Sequence, residues 1–574
     1  MWKYLRFKLR RKSRRMYYHL HLWRIWLLNY FSRHIYGGWQ KLGSMRSVMV
    51  AWLGLVLICY WGLLVGIQNL DARYVATVPA YGGNYSEGLT GELRSMNPIF
   101  ADNSASKDIS ALIFSGLTKI DPSGGYAGDL ANNWDVSPDK KSYTFYLRSN
   151  AKWQDGRPVT AEDIAFTVSV IQNPDTRSPY SADWKGVQAE VLNSSTVRFN
   201  LPASYSEFLY TTTVGILPKH ILANVKPSLL KLHEFNQRPI GSGPYRYVGG
   251  SANSGVVRLQ AFSEFYMGRP YIPTMQMYIY PTERDQITAY ERKEIMGISQ
   301  IEPPDYQTLS KIENLKLYQL KQPAYVAVFF NLKNSKLTKP LRQALAYATN
   351  RDTIVSGVLY SQGVRSQLPL PAGFSGFTAD TTRYDYSQDL ARSSLATAKA
   401  QDTTLNLVTL KGSVYQQVAE SLKKQWQAIG VNLNINAVDA TSLQQDYVRP
   451  RNYDLLLYGQ NLGAGSDEYS FWHSSQVDDP GLNLSSYKNS NVDRDLEAGR
   501  IAKDPAYKAS KYTDFLKLWS QDEPAIILYN PYYDYAQSVV LKGFNTTRII
   551  EPQNRFNNVY KWYINTRPAL KARQ

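Results

Sequence analysis

The chain has 574 residues, 65 Lys and Arg against 47 Asp and Glu, 44% hydrophobic and 13% aromatic side chains, and one cysteine. This is too long for one ordinary domain and too apolar for a disordered chain, so two or three packed lobes are expected. A lone Cys59 excludes a disulfide framework and a cysteine-held zinc or iron–sulfur centre.

The net charge of +18 is unevenly spread: residues 1–46 carry twelve Lys or Arg and no acid, 47–70 carry no charge, and 71–574 carry 53 bases against 47 acids. The basicity is that of a tail, and no nucleic-acid-binding body is implied. From Ser47 to Leu70 the chain reads SVMVAWLGLVLICYWGLLVGIQNL. Its apolar run, Val48 to Ile67, has the length of about 20 residues that a bilayer-crossing helix needs, so 47–70 is expected to be one transmembrane helix. The positive flank places residues 1–46 in the cytoplasm as a basic tail and the body outside the cell membrane. A cleaved signal ending near Val78-Pro79-Ala80 is the competing reading, but a leader of 46 residues exceeds its usual proportions. Cys59 lacks the small preceding residues of a lipid-attachment site. Met16 to Phe31 is aromatic-rich and too short to span; with KLRRKSRR (Lys8 to Arg15) it is expected along the inner surface against anionic lipid.

After a short tether near Ala72 to Pro79, strand-like and helix-like segments alternate. Tyr143–Leu147 and Val197–Leu201 have the period of half-buried strands, and Thr160-Ala-Glu-Asp163 predicts a helix start ahead of Ile164, Val168 and Ile171 on one face. Farther on, Leu405–Val408, a helical stripe of Val418, Leu422, Trp426 and Ile429 closed by Gly430, the alternating Val431, Leu433 and Ile435, a short helix, and Asp454–Tyr458 read as an α/β lobe with a largely parallel sheet. Its ligand crevice is expected beyond the carboxyl ends of the strands, at Gly459 and the residues just after it.

No HExxH spacing, GxSxG turn or GxxxxGK[ST] loop occurs, so no catalytic residue, metal ligand or cofactor is expected. Among the body's histidines His220, His233 and His473, the last is read first as a hydrogen-bonded structural residue. Asp467 and Glu468 would suit a glycosidase only if they faced each other across a bond, which adjacency does not establish.

Several blocks, in order, resemble the extracellular solute-binding proteins of ABC importers, family five, of oligopeptide-, dipeptide- and nickel-binding type. They are Gly91-Glu-Leu-Arg-Ser-Met-Asn-Pro98, Leu112–Leu117, Asp129–Trp134, Tyr143–Arg148, Lys152-Trp-Gln-Asp-Gly-Arg-Pro-Val-Thr-Ala-Glu-Asp163, Gly241–Tyr245, Leu341–Ala348, Asn350–Asp352 and Tyr453-Asp454. The resemblance runs from about residue 82 to 563. It implies a two-lobed α/β body like a periplasmic binding protein: lobe I from 80–97, 226–283 and 531–574, an inserted third domain at 98–225, and lobe II at 284–530. It further implies a non-enzymatic, membrane-anchored receptor that closes on a peptide or other small solute and docks on permease subunits driven by ATPases. Trp153, Asp155 and Gly156, and Gly241 to Pro244, are expected to build turns. By carry-over, Asp102, Asn103, Ser104, Gly459, Gln460 and Asn461 hold the peptide main chain, with Tyr325, Tyr469 and Trp472 as pocket walls. Where relatives place an ammonium-pairing aspartate, this chain has Gly463, with Asp467 as the candidate substitute. A tethered glycan-active enzyme and a solute sensor signalling through the tail are the alternatives.

Overall fold

The computed structural model describes residues 22–27, 29–30, 46–204, 208–370, 381–463, 468–502 and 504–570, with the backbone alone at 46–48, 64, 66–75 and 570. KLRRKSRR and Asp467 lie outside the described residues. The chain forms two compact units, Met1–Val78 with Arg567–Gln574, and Pro79–Thr566.

In the first unit, Arg46–Tyr74 is a 29-residue α-helix with apolar side chains on every face. Val50, Trp52, Ile58 and Trp61 are 64–73% exposed, and Cys59 is exposed. Its described side chains run only from Met49 to Leu63, plus Val65, and among the described residues no helix is long and apolar enough to cross a membrane. The expected tether is the end of this helix followed by the strand Val75–Pro79.

The second unit is built on one sheet, which among the described residues has twelve strands. Its order is Asn432–Val438, Thr404–Leu410, Leu455–Asn461, Ala324–Phe330, Ala525–Ser538, Gly297–Ile301, Asn84–Thr90, Thr274–Tyr280, Val256–Ala261 and Tyr245–Ser251. Leu315–Lys321 and Gly363–Arg365 also pair with Ala525–Ser538. This 14-residue strand changes neighbours along its length: Ala525 to Tyr529 pair with Ala324–Phe330, and Tyr532 to Ser538 with Leu315–Lys321. Gly297–Ile301 joins Asn84–Thr90 in parallel. Two strands of the segment expected as lobe II, Gly297–Ile301 and Leu315–Lys321, therefore pair within the half of the sheet that also holds Asn84–Thr90.

Ala324–Phe330 is buried along its whole length, because both faces of the sheet are covered. Val326, Val328 and Phe330 pack with Leu341, Leu422 and Trp426 on one face, while Tyr325, Ala327 and Phe329 pack with Leu456, Trp472, Phe515 and Trp519 on the other. The strands Thr404–Leu410, Asn432–Val438 and Leu455–Asn461 are parallel, with Thr404–Leu410 in the middle. The helix between the first two, Val414–Gln427, buries Val418, Leu422 and Trp426, and Gly430 follows it at φ +88°.

A separate antiparallel sheet of Ala131–Val136, Ser142–Leu147, Thr196–Asn200 and Gln188–Asn193 lies within 98–225. Helix Ala161–Gln172 starts as its sequence predicts: the backbone N–H of Thr160 donates to Asp163 Oδ2 at 2.9 Å, and Ile164, Val168 and Ile171 are buried. Gly241 has a steric requirement, since a Cβ there would come 2.0 Å from the carbonyl oxygen of Ile113.

Candidate functional site

The corner after Asn97-Pro98 is fixed by side-chain to backbone bonds. Asn97 accepts from the N–H of Ile99 and donates to Asn236 Oδ1 at 2.9 Å. Asn103 caps helix Ser104–Ile113, accepting from the Ser106 N–H at 2.9 Å while donating to the Glu92 carbonyl at 3.0 Å. Asp102, exposed, lies 3.7 Å from Arg94, and Ser104 is exposed on the first turn.

The second stretch ends the strand Leu455–Asn461. One edge of this strand is paired throughout with Ala324–Phe330. On the other edge Thr404–Leu410 pairs only at Leu455 and Leu456, so among the described residues Gly459, Gln460 and Asn461 have no strand partner there. The Gln460 side chain turns inward: Tyr325 donates to its Oε1 at 2.6 Å, and its Nε2 donates to the Leu482 carbonyl at 3.0 Å. Gly459 is covered by Tyr415, whose hydroxyl is 2.5 Å from where a Cβ would sit.

Both stretches reach the same short segment. Asn461 donates to the Ile550 carbonyl at 3.0 Å, and Glu551 pairs at 2.7 Å with Lys107, on the helix that Asn103 caps. Beside this segment is a cavity of about 240 Å³, bounded among others by Lys107, Lys119, Tyr180, Tyr210 and Glu551. It lies against the 98–225 region.

The expected pocket walls are placed differently from one another. Tyr325 and Trp472 are fully buried, Trp472 between Phe329 and Trp519 with ring centroids at 6.1 and 5.2 Å, so neither presents a face to a solute in this conformation. Tyr469 is half-buried, stacked on His473 at 4.1 Å, with the Arg500 guanidinium 4.5 Å from its ring centre. His473 itself is held by Ser475, at 2.8 Å from Nδ1. Glu468 is buried. Gly463, at φ +69°, places no carboxylate near the strand end. Among the described residues no group of three or more His, Cys, Asp and Glu side chains is disposed to hold a metal ion.

Sequence reasoning missed three acids that the fold gathers near this edge. Asp534, on the long shared strand, is paired with Ile301, so it lies beside Glu302; the N–H of Glu302 donates to Glu283 Oε1 at 2.8 Å. Burial pushes the Glu283 carboxyl up to about 8, and burial with the charge of Glu302 pushes Asp534 up to about 7. Glu302 is raised by burial and by Asp305. The three come from segments far apart in sequence, and no motif links them.

A family model described as bacterial extracellular solute-binding proteins, family 5 Middle, matches residues 125–480. The oligopeptide-binding protein AppA of Bacillus subtilis is 28% identical over 527 residues, 87% of this chain and 94% of the relative. The solved structure of that AppA in complex with a nonapeptide superposes with a TM-score of 0.70 at 27% identity, over 85% of this chain and all of the other. NikZ of Campylobacter jejuni, in complex with Ni(L-His), gives 0.71 at 25% identity, over 84% and 99% of the two chains. The ABC transporter substrate-binding protein CtaP of Listeria monocytogenes gives 0.76 at 26% identity with the same coverage. The chain belongs to the bacterial extracellular solute-binding proteins of family 5 and has their α/β periplasmic-binding-protein fold. The family and these neighbours are binding proteins, and the chain is a receptor component of an ABC importer rather than an enzyme.

Proposed function

We propose that the protein captures peptides in extended form against the free edge at Gly459, Gln460 and Asn461 and the corner at Asp102, Asn103 and Ser104, and delivers them to a permease. The unpaired main-chain edge carries this reading. Backbone groups are common to all peptides, so a strand edge binds many sequences while side chains occupy neighbouring space. The convergence of both stretches on Ile550–Glu551 and the nonapeptide in the AppA relative support it. Tyr469, half-exposed, is kept as a pocket wall; Tyr325 and Trp472 would act from behind the surface by holding Gln460 and the sheet. The lobes would be those implied by sequence, with lobe II beginning after Lys321 instead of at 284, closing about the strand Ala525–Ser538. Peptide-induced protection of the amides at both stretches against hydrogen exchange tests the reading.

The helix Arg46–Tyr74 is assigned as a membrane anchor, with the tail in the cytoplasm and the body outside. A helix whose Val50, Leu53, Leu57, Ile58 and Leu63 are more than half exposed does not remain in water unaccompanied, because burying each such side chain gains about 1.5–3 kcal/mol. Tethering would also hold the receptor near its permease at high effective concentration. Protease added to intact cells is expected to remove the body and spare the tail; a fully protected body would overturn the orientation.

A further inference from the structure

The acids Glu283, Glu302 and Asp534 form an unneutralised group at the junction of the two halves of the sheet. Glu283 is on helix Glu283–Glu291, Glu302 caps helix Pro303–Leu309, and Asp534 is on the strand that runs through both halves. Asp534 is 2% exposed and its Oδ1 has no hydrogen-bond partner. No Lys or Arg among the described residues pairs with any of the three, and they do not converge tightly enough to hold a metal ion.

A second observation, independent of the acids, points the same way. The Tyr529 side chain is 1% exposed and its hydroxyl has no hydrogen-bond partner. That hydroxyl is close enough to Glu302 and Tyr415 for both to oppose its ionisation, after burial itself. Tyr415, whose ionisation burial and Glu302 likewise oppose, is the residue whose hydroxyl covers Gly459. Tyr529 and Tyr415 thus both lie within electrostatic reach of Glu302, which neighbours Asp534 and Glu283, and Tyr415 is also the side chain that covers Gly459. Asp305 and Tyr306 beside the acids, and Tyr458 beside Tyr415, are further titratable groups that face them.

Buried carboxylates without a counter-charge are costly, and a cation brought by the solute would supply it. We propose that the solute held at the Gly459 edge carries an organic cation, an alkylammonium or guanidinium, that is seated among Glu283, Glu302 and Asp534. This rests on the peptide-binding reading above and names what that site selects. It also provides a carboxylate site in another place than Gly463, where this chain has none. The cation favours the ionised acids, so binding releases protons. Glu283 and Asp534, pushed up to about 8 and about 7, are largely protonated at pH 6 and ionise progressively towards pH 8, so affinity for the cation is expected to rise over that range.

The test is calorimetric titration of the full chain in detergent at pH 6 and pH 8 with Ala-Lys-Ala, Ala-norleucine-Ala and the N-acetylated form of each. Expected is a preference of about tenfold or more at pH 8 for the peptide bearing the cation, smaller at pH 6, and lost in Glu302→Gln and Asp534→Asn. A preference for lysine over norleucine assigns the cation to a side chain. A loss on acetylation of the norleucine peptide assigns it to the amino terminus. Equal binding by all four peptides overturns the proposal and leaves the peptide reading standing. If no peptide binds, the heat-denaturation midpoint with millimolar cadaverine at pH 8 decides: a rise in the wild type that Glu302→Gln abolishes supports the cation site while removing the peptide reading, and no rise overturns both.

Discussion

Replacing Arg555 by alanine is expected to destabilise the body by about 3–5 kcal/mol, the usual cost of breaking a buried ion pair from one side. The Arg555 side chain is fully buried and meets Glu87 at 2.8 Å and Asp108 at 2.6 Å, both also buried. It joins the strand Asn84–Thr90, the helix Ser104–Ile113 and the turn Pro552–Phe556, which are widely separated in sequence. The hydroxyl of Tyr535 adds a bond to Glu87 at 2.5 Å. Burial already raises Asp108 to about 6 even with Arg555 opposing it. Without the guanidinium the Asp108 carboxyl rises further in the folded state, and an acid whose folded pKa is raised loses stability as pH increases through that range. The deficit of Arg555→Ala is therefore expected to be larger at pH 8 than at pH 5, read from denaturant unfolding at both. A deficit below about 1 kcal/mol, the scale of an exposed ion pair, or one independent of pH, would show that the network is not needed.

Gly459→Val is expected to weaken peptide binding on the order of 100-fold, close to 3 kcal/mol, while the protein stays folded. A Cβ at 459 would sit 2.5 Å from the Tyr415 hydroxyl, and the branched side chain would push that ring over the edge that a peptide must approach. Gly357→Ala is the control, because a Cβ there meets nothing within 4 Å. Calorimetry on both variants reads the difference. Unchanged affinity in Gly459→Val would place the solute elsewhere.

Local patterns carried much of the fold. The Thr160–Asp163 box, the Val418–Trp426 stripe and the three parallel strands depend on neighbouring residues or on periods of two and 3.6, so they are visible in one dimension. The strand Ala525–Ser538 is different: Pro531, which cannot donate to a ladder, marks an interruption just before Tyr532, but which partners are exchanged there is set by the segments that arrive beside it. The grouping of Gly297–Ile301 with Asn84–Thr90 was hidden for the same reason. At the site, the two stretches named from the family resemblance reach one segment, Ile550–Glu551, whose part in joining them has no sequence signature. Trp472 and Tyr325 show the limit of reasoning from residue type, since an aromatic suited to a pocket wall is equally suited to a core. The acids Glu283, Glu302 and Asp534 are the strongest case of a feature created only by folding.

Hydrogen exchange on the full chain, with and without a saturating nonapeptide, tests the central claim most directly. The amides of Gly459, Gln460 and Asn461, and those of Asp102 to Ser104, are expected to slow by about tenfold or more when the peptide closes the free edge. Protection confined to the cavity beside Tyr210 and Glu551, or no protection at either stretch despite binding, would contradict it.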